Sequence, residues 1–227
     1  MWNSGWDKIF KENEWGKYPD MSIVRFISKK FYNKKKRKKI SILEVGCGTG
    51  ANLSFFAKEG FNTYGVDGSK IAIKIATKKL KKDNLKADLI VSDIKKLPYR
   101  SGVFDCVVDC ECLYSNSFSE TILILKEINR VLKKKGFFLS KTFAQGTYGD
   151  GNGIKLSNEK NTYVSISKGA FRKGYGIIRI STLKDIKNLY RKSFTIENIE
   201  YVHRSIKDMK KEIKEWVISM KKKNNVA

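Results

Sequence analysis

The most informative stretch of this 227-residue chain is Ile40-Ser41-Ile42-Leu43-Glu44-Val45-Gly46-Cys47-Gly48-Thr49-Gly50. Its apolar first half predicts a buried β-strand. The glycines that follow let the backbone turn sharply and approach a ligand with no β-carbon in the way. A strand, a glycine-rich turn and a helix over about 51–58 predict the start of a βαβ unit with a ligand at the turn.

The glycine spacing excludes the commonest phosphate-binding loops. It is G-x-G-x-G, whereas a dinucleotide fingerprint requires G-x-G-x-x-G, and no G-K-S/T follows for a nucleoside triphosphate. Glu44 stands two residues before the first glycine, where a carboxylate would repel a phosphate. The turn therefore favours a ligand with a cationic end.

Outward from this stretch, short β-like runs alternate with segments of helical period as far as residue 139, which predicts a parallel sheet. Further strands are predicted over 62–66, 88–91, 103–108 and 137–143. Ser69 is placed to cap a helix that continues to about Leu80. A longer amphipathic helix is predicted over 119–132, where three lysines and Gly136 suit a helix end.

The two ends of the chain depart from this alternation. The first 33 residues are predicted to be helical and contain Trp2, Trp6, Trp15 and Tyr18. Residues 145–153 contain four glycines and predict a mobile loop, and 162–166 with 176–180 predict an inserted hairpin. A helix over 181–189 and strands over 194–202 and 215–220 complete seven strands.

The net charge of +24 is large, but it does not by itself identify the class of protein. The cations are mostly lysines spread along the chain, whereas bidentate phosphate recognition favours arginine. No apolar run is long enough for a membrane helix, and the first residues lack the layout of a secretory signal. Four cysteines without paired spacing predict reduced thiols, and hence a cytoplasmic protein: Cys47, Cys106, Cys110 and Cys112.

Five motifs occur in order: ILEVGCGTGANL, an aspartate ending the next strand, VSDIKKLP, FDCVVDCE and LKEINRVLKKKGFF. Together they resemble the class I S-adenosylmethionine-dependent methyltransferases, most closely the small enzymes that act on small molecules. The resemblance implies an α/β fold with a Rossmann-like, seven-stranded, mostly parallel sheet and helices on both faces. It also implies one domain over 1–227, comprising a helical lid (1–33), a cofactor-binding core (40–143) and a substrate cap (145–178).

The resemblance assigns S-adenosylmethionine as the cofactor, with no metal. The glycine turn would line its methionine end, Glu44 would hold its ammonium group, and Asp67 would accept from the ribose hydroxyls. Asp93 would accept from the adenine amine while Ile94 packs on the ring. The complete set of cofactor-binding residues predicted is Glu44, Gly46, Cys47, Gly48, Asp67, Gly68, Asp93, Ile94, Cys110, Glu111, Trp15 and Tyr18. Loop caps are the alternative for Asp67 and Asp93, and a simple staple of the N-terminal helix is the alternative for the aromatic lid.

Methyl transfer from a sulfonium depends mainly on positioning, so a general base is optional. The only histidine, His203, is predicted at the end of the sixth strand, either as that base or as a surface residue. Tyr114 is a second candidate for substrate contact. The inserted segment would grip an anionic or carbohydrate acceptor with aromatic and cationic side chains, namely Tyr163, Phe171, Tyr175, Lys155, Lys168 and Arg172.

The predicted function is methyl transfer to a small molecule, at an oxygen of a sugar or another cell-surface precursor. The alternative is a nucleic-acid methyltransferase, which the charge favours. Against it, the fourth strand ends in Asp109-Cys110-Glu111-Cys112 rather than the D/N-P-P-Y/F clamp for a flipped base. The sequence leaves the oligomeric state open.

Overall fold

The computed structural model describes residues 5–13, 15–33, 35–171 and 176–223. Its α-helices are α1 (Gly5–Glu12), α2 (Met21–Phe31), α3 (Ala51–Lys58), α4 (Lys70–Lys82), α5 (Phe118–Val131) and α6 (Leu183–Tyr190). Its strands are β1 (Ser41–Val45), β2 (Asn62–Asp67), β3 (Asp88–Val91), β4 (Phe104–Cys110), β5 (Leu132–Phe143), β6 (Ile154–Lys155), β7 (Thr162–Val164), β8 (Ile178–Arg179), β9 (Phe194–Ile206) and β10 (Lys211–Lys222). Two short 3-10 helices cover Arg37–Lys39 and Leu113–Ser115.

Seven strands form one sheet in the order β3-β2-β1-β4-β5-β10-β9. The first five are parallel, and β10 runs antiparallel to both β5 and β9. The strand order reverses direction between β1 and β4, and in open α/β sheets ligands bind at such a point, beyond the carboxyl ends of the strands. The predicted Rossmann-like, mostly parallel sheet is confirmed.

Helices cover both faces of the sheet because successive strand residues point in opposite directions. On β1, Leu43 faces the cluster formed with α5 and α6, whereas Ile42 faces the cluster formed with α2 and α3. On β4, Val107 and Val108 divide in the same way. A strand buried on both faces needs adjacent apolar residues, which Ile42-Leu43 supply in β1 and Cys106-Val107-Val108 supply in β4.

Side-chain caps start several of the helices. Ser69 accepts from the Ala72 amide at 3.0 Å and caps α4, as its position in the sequence indicates. Ser117 caps α5, so that helix starts at Phe118. The predicted helix over 119–132 is present as α5, which ends one residue earlier, at Val131. The lysines that follow belong to β5, which starts before its predicted first residue, 137, because Leu132 already pairs with Phe104.

The last two strands are longer than predicted, and form a hairpin that extends past the neighbouring strand β5. Most β9 side chains are exposed, so the apolar alternation that marks a half-buried strand is weak there. The hairpin turn contains three consecutive non-glycine residues with positive φ, Lys207, Asp208 and Met209.

The insertion after β5 contains a small antiparallel sheet. The predicted hairpin is present as β7 and β8, with Thr162 opposite Arg179, and β6 adds a third strand that periodicity did not indicate. The glycine-rich loop before it is tied to the main sheet: the Tyr148 amide donates to the Glu212 carbonyl at 2.7 Å. Gly149 lies so close to the Gly169 backbone that a β-carbon on it would come within 2.4 Å.

The N-terminal segment is only partly helical. Helices α1 and α2 are separated by a non-helical connection that contains Trp15 and Tyr18, and Trp2 lies outside the described residues. Within the described ranges, no helix combines the length and apolarity needed to cross a bilayer. The division into lid, core and cap within one domain stays a prediction.

Candidate active site

A cavity of about 1170 Å³ opens at the carboxyl ends of β1, β2 and β4. Its walls are the turns after these strands, the N-terminal segment and part of the insertion. All twelve predicted cofactor-binding residues line it. Because ligand sites commonly measure roughly 300–1,000 Å³, this cavity has room for more than one small ligand.

The glycine turn after β1 is held by backbone hydrogen bonds to the end of β2. The Gly46 and Cys47 amides donate to the Val66 carbonyl at 2.8 and 3.1 Å. Gly46 has a φ of +66°, and a β-carbon there would come within 2.2 Å of the Cys112 Sγ. Only glycine therefore allows the turns after β1 and β4 to lie this close together.

Glu44 is the next-to-last residue of β1 and lies inside the protein, with only 2% of its surface exposed. Its Oε1 accepts from Asn52 Nδ2 at 2.6 Å, and its Oε2 has no hydrogen-bond partner among the described residues. Burial raises the pKa of Glu44 to about 8, against the opposing effect of the Asn52 hydrogen bond. A buried carboxylate oxygen without a donor favours a ligand that brings one, above all a cation.

Asp67 is the last residue of β2, and its carboxylate holds the turn after β1 and the turn after β2 in place. Its Oδ2 accepts from the Gly48 amide and its Oδ1 from the Ser69 amide, both at 2.8 Å. Burial raises the pKa of Asp67, although both amides act in the opposite direction. The loop-cap role is thus real, and because each carboxylate oxygen has a second lone pair, ligand hydroxyls can bind as well.

Asp93 and Ile94 follow β3 on the far wall of the cavity. Asp93 Oδ1 accepts from the Lys95 amide at 2.9 Å, so it also acts as a loop cap. Lys95 Nζ lies 2.7 Å from Glu120 Oε1 and 3.8 Å from Asp93 Oδ2. The buried Ile94 supplies an apolar surface next to this polar group.

Lys141 forms a buried ionic cluster that sequence reasoning missed. Its Nζ lies 2.8 Å from Asp20 Oδ2, 2.8 Å from Glu111 Oε1 and 2.9 Å from Glu215 Oε1. Burial alone would lower the pKa of Lys141, but the three carboxylates raise it. The available signal was a lysine between apolar residues of a predicted central strand, since lysine is almost never buried unless it is paired.

Glu111 has a φ of +56°, the left-handed region that costs a non-glycine residue roughly 1–3 kcal/mol. The turn that contains it is held by Asp109, whose Oδ1 accepts from the Cys112 and Leu113 amides at 2.9 and 3.1 Å. Burial raises the pKa of Asp109 to about 6, although the Ser140 hydroxyl and the two amides oppose this. The strain therefore lies at the rim of the cavity, where Glu111 is exposed to a ligand.

The N-terminal segment forms one wall of the cavity through aromatic packing. The Trp15 ring lies 4.9 Å from Phe10 and 6.3 Å from Trp6, measured between centroids. All three rings line the cavity, whereas Tyr18 lies at its edge with 87% of its surface exposed. The aromatic residues thus attach the segment to the rest of the protein and also enclose the cavity. The two roles considered for them, a lid and a structural attachment, are therefore compatible.

Residues 43–140 match the family model described as a methyltransferase domain. This stretch carries the glycine turn and the acidic residues that line the cavity. This match identifies a methyltransferase domain within residues 43–140. The resemblance found in the sequence motifs is thereby confirmed.

Known proteins similar to this methyltransferase domain include two curated relatives. The uncharacterized methyltransferase YodH of Bacillus subtilis is 32% identical over 98 residues, which is 43% of this chain and 41% of that protein. Malonyl-acyl-carrier-protein O-methyltransferase of Priestia megaterium is 30% identical over 128 residues, 56% of this chain and 43% of that protein. The chain thus spans less than half the length of these relatives.

A solved structure has a fold similar to that of this chain. A SAM-dependent methyltransferase from Methanosarcina mazei has a TM-score of 0.69 and 22% identity, covering 82% of this chain and 93% of that one. The likeness therefore extends beyond the residues that the family model matches.

The residues present in the methyltransferase domain fit S-adenosylmethionine. The unpartnered Glu44 Oε2 matches the ammonium group of its methionine end, and Asp67 and Asp93 stand farther along the same cavity. The roles assigned to the individual residues from the sequence stay predictions.

His203 is the predicted residue that the structure places elsewhere. It lies on β9, the edge strand, with its side chain 41% exposed and its Nε2 3.3 Å from Glu212 Oε1. It does not line the cavity, whereas its neighbour Arg204 does. The structure therefore agrees with the alternative, a surface residue, because adjacent residues of a strand point to opposite faces.

Tyr114, which was predicted to contact the substrate, lies in the wall of the cavity. It is buried in the 3-10 helix after β4, lines the cavity, and packs edge-on against Phe143 with 4.9 Å between ring centroids. Phe143 in turn contacts Phe171 of the insertion at 5.1 Å. These rings form an apolar wall opposite the glycine turn.

The described residues of the insertion contribute small and apolar side chains to the cavity rather than cations. In the described part of the chain these are Gly169, Ala170, Phe171 and Ile177. Lys155, Lys168 and Tyr163 do not line the cavity, so their predicted contacts with the acceptor are wrong. Arg172 and Tyr175 lie outside the described residues.

Proposed function

We propose that this chain transfers a methyl group from S-adenosylmethionine to a small-molecule acceptor. The observation that carries the proposal is the unpartnered, buried Glu44 Oε2 in a cavity that also presents Asp67 and Asp93. Glu44 would hold the ammonium group, Asp67 the ribose hydroxyls and Asp93 the adenine amine. The aromatic N-terminal wall would exclude water from the reacting atoms.

S-adenosylmethionine, when bound, supplies a methyl carbon attached to a positively charged sulfur; transfer leaves the bonding electron pair on sulfur and releases a proton from the acceptor. The chain's own part is to orient the two reactants and to keep the site dry. The apolar wall of Tyr114, Phe143 and Phe171 is the surface against which an acceptor would lie. The volume of the cavity supports simultaneous binding of both.

Within this class, an oxygen of a sugar or another cell-surface precursor remains the predicted methylated atom. The name of the Priestia megaterium relative, an O-methyltransferase, supports an oxygen. A cytoplasmic location likewise stays a prediction.

Calorimetry with S-adenosylmethionine and S-adenosylhomocysteine tests the cofactor, and release of S-adenosylhomocysteine across sugars, phosphorylated metabolites and RNA tests the acceptor. No binding of either cofactor form would overturn the proposal.

A nucleic-acid acceptor is the second candidate, and the net charge of +24 is the observation that favours it. The cavity lining points the other way, because its charged residues are mostly acidic. Binding to a nonspecific RNA, followed across salt concentrations, separates the two candidates. Methyl transfer to RNA in preference to every small molecule would establish the second.

A further inference from the structure

The cavity lining is acidic in a strongly basic chain. The whole sequence has 47 Lys and Arg against 23 Asp and Glu. Among the described residues, the lining has the opposite balance, with six acids and two cations. The acids are Asp20, Glu44, Asp67, Asp93, Glu111 and Glu120, and the cations are Lys95 and Arg204. The interior of the site therefore does not follow the composition of the chain.

The cofactor and one ion pair account for four of these acids. Glu44, Asp67 and Asp93 are the residues proposed to bind the cofactor. Glu120 is paired with Lys95 over 2.7 Å. Asp20 and Glu111 remain, and both lie on the part of the cavity surface near Lys141.

The Lys141 cluster carries more negative than positive charge. One ammonium group faces the carboxylates of Asp20, Glu111 and Glu215 at 2.8–2.9 Å. Burial and the adjacent Glu111 carboxyl raise the pKa of Glu215 to about 7, even though Lys141 opposes the shift. The buried Cys110 thiol and Asp20 are the other titratable groups near Glu111, and Arg204 is exposed at the cavity rim. A further cation at Glu111 would relieve this excess of negative charge.

The same cavity also has an apolar wall. It consists of Tyr114, Phe143, Phe171 and Ile177, and the first three are buried. A ligand that spans from this wall to Glu111 needs an apolar body with a positively charged end. Aromatic and aliphatic surface would bind the body, and a charge-assisted hydrogen bond would bind the end.

We infer that the acceptor carries a protonated amino group on an apolar body, and that Glu111, braced by Lys141, binds this amine. The inference rests on the proposed function and names the substrate class of the same site. It differs from the anionic acceptor predicted from the sequence, for which Lys155 and Lys168 lie outside the cavity and Arg172 lies outside the described residues. The methylated atom can still be an oxygen elsewhere on the same molecule.

The test uses three probes of similar size and different charge: 2-phenylethylamine, 2-phenylethanol and 3-phenylpropionate. Binding of each to the complex with S-adenosylhomocysteine is measured by calorimetry at neutral pH. We expect the amine to bind at least about tenfold more tightly than the alcohol, and the carboxylate to bind most weakly. Tightest binding of the carboxylate, equal binding of all three, or no binding of any probe at millimolar concentration would overturn the inference.

Two variants test whether Glu111 causes the tighter binding of the amine. Glu111→Gln should weaken the amine by about tenfold and leave the alcohol unchanged. Glu200→Gln removes the same charge from an exposed position on β9 and should leave all three affinities unchanged. An amine preference that survives Glu111→Gln would contradict the role of Glu111.

A melting temperature equal to that of the natural chain shows that the Glu111→Gln variant is folded. If the variant does not fold, the ranking of the three probes in the natural chain still decides. Loss of S-adenosylhomocysteine binding by the natural chain would instead count against the proposed function itself.

Discussion

Asn52 donates from Nδ2 to Glu44 Oε1 over 2.6 Å, while Glu44 Oε2 stays buried with no partner among the described residues. The backbone amide of Asp20 donates to the other end of the same Asn52 side chain at 2.9 Å. Asn52 therefore joins the acidic residue at the end of β1 to the start of α2. The cofactor wall and the N-terminal wall are connected through this one amide side chain.

Cofactor binding should release a proton from Glu44. With a pKa of about 8, Glu44 is mostly neutral at pH 7 in the free protein, and the cofactor ammonium should favour its ionised form. Affinity should therefore rise between about pH 6 and 7.5, where an α-amino group is still protonated. Calorimetry in two buffers of different ionisation enthalpy measures the released proton. In Glu44→Gln the affinity should be weaker and the release lost; a release that persists there would assign it to another group.

Gly46→Ala should disrupt the site through Cys112. The added methyl group would come within 2.2 Å of the Cys112 Sγ, in addition to the cost of a φ of +66°. Gly60→Ala is the matched control, because Gly60 has a φ of +82° and no atom within 4 Å of the added carbon. We expect about 1–2 kcal/mol of destabilisation in the control and about 1–3 kcal/mol more in Gly46→Ala, measured by urea unfolding.

The double variant Gly46→Ala with Cys112→Gly should recover part of that difference, because it removes both the Cys112 Sγ and the Cys112 Cβ, which would lie 2.4 Å from the added carbon. If the double variant recovers no stability, the steric clash involves a residue other than Cys112.

Asp67→Ala should weaken both the cofactor and the fold. It removes the acceptor for the Gly48 and Ser69 amides as well as the proposed ribose contacts. We expect a loss of about 1–3 kcal/mol in cofactor binding, measured by calorimetry, together with a lower melting temperature. Ser69→Ala provides a comparison, since it removes the α4 cap and leaves the Asp67 carboxylate. An Asp67→Ala protein with normal affinity and reduced stability would leave only the loop-cap role.

The stability of the free protein should fall as pH rises from about 5 to 8. The pKa values of Glu44, Glu215 and Asp109 are raised to about 8, 7 and 6, chiefly by burial. The folded protein therefore holds protons that the unfolded chain has released, and the stabilisation they give is lost as pH passes each folded pKa. We expect roughly 2–4 kcal/mol less unfolding free energy at pH 8 than at pH 5.5, by urea titration.

In Glu44→Gln the unfolding free energy should depend less steeply on pH, because the glutamine side chain has no proton to lose. Carboxyls with lowered pKa values, such as Glu127 and Glu197, contribute at lower pH, as they protonate. Stability that rises from pH 5.5 to pH 8 would show that the buried acids are ionised in the folded protein.

The sequence by itself determined the alternation of strands and helices, the glycine turn and the placement of acids at strand ends. These features depend on local patterns: apolar runs, side-chain caps and glycines that follow strands. In parallel sheets the carboxyl ends of neighbouring strands meet at one edge, so residues after successive strands were expected to share a site. All twelve predicted cofactor-binding residues indeed line one cavity.

Only the tertiary structure decided which distant residues meet. Asp20 and Lys141 are 121 residues apart in the sequence and 2.8 Å apart in the fold, and neither has a local pattern that indicates the other. His203 is next to a cavity residue along β9, yet it lies on the outside because the pleat separates neighbours. Burial, which sets the pKa of Glu44 and the charge balance of the cavity, depends on how all the elements pack together, and no single segment of the sequence contains that information.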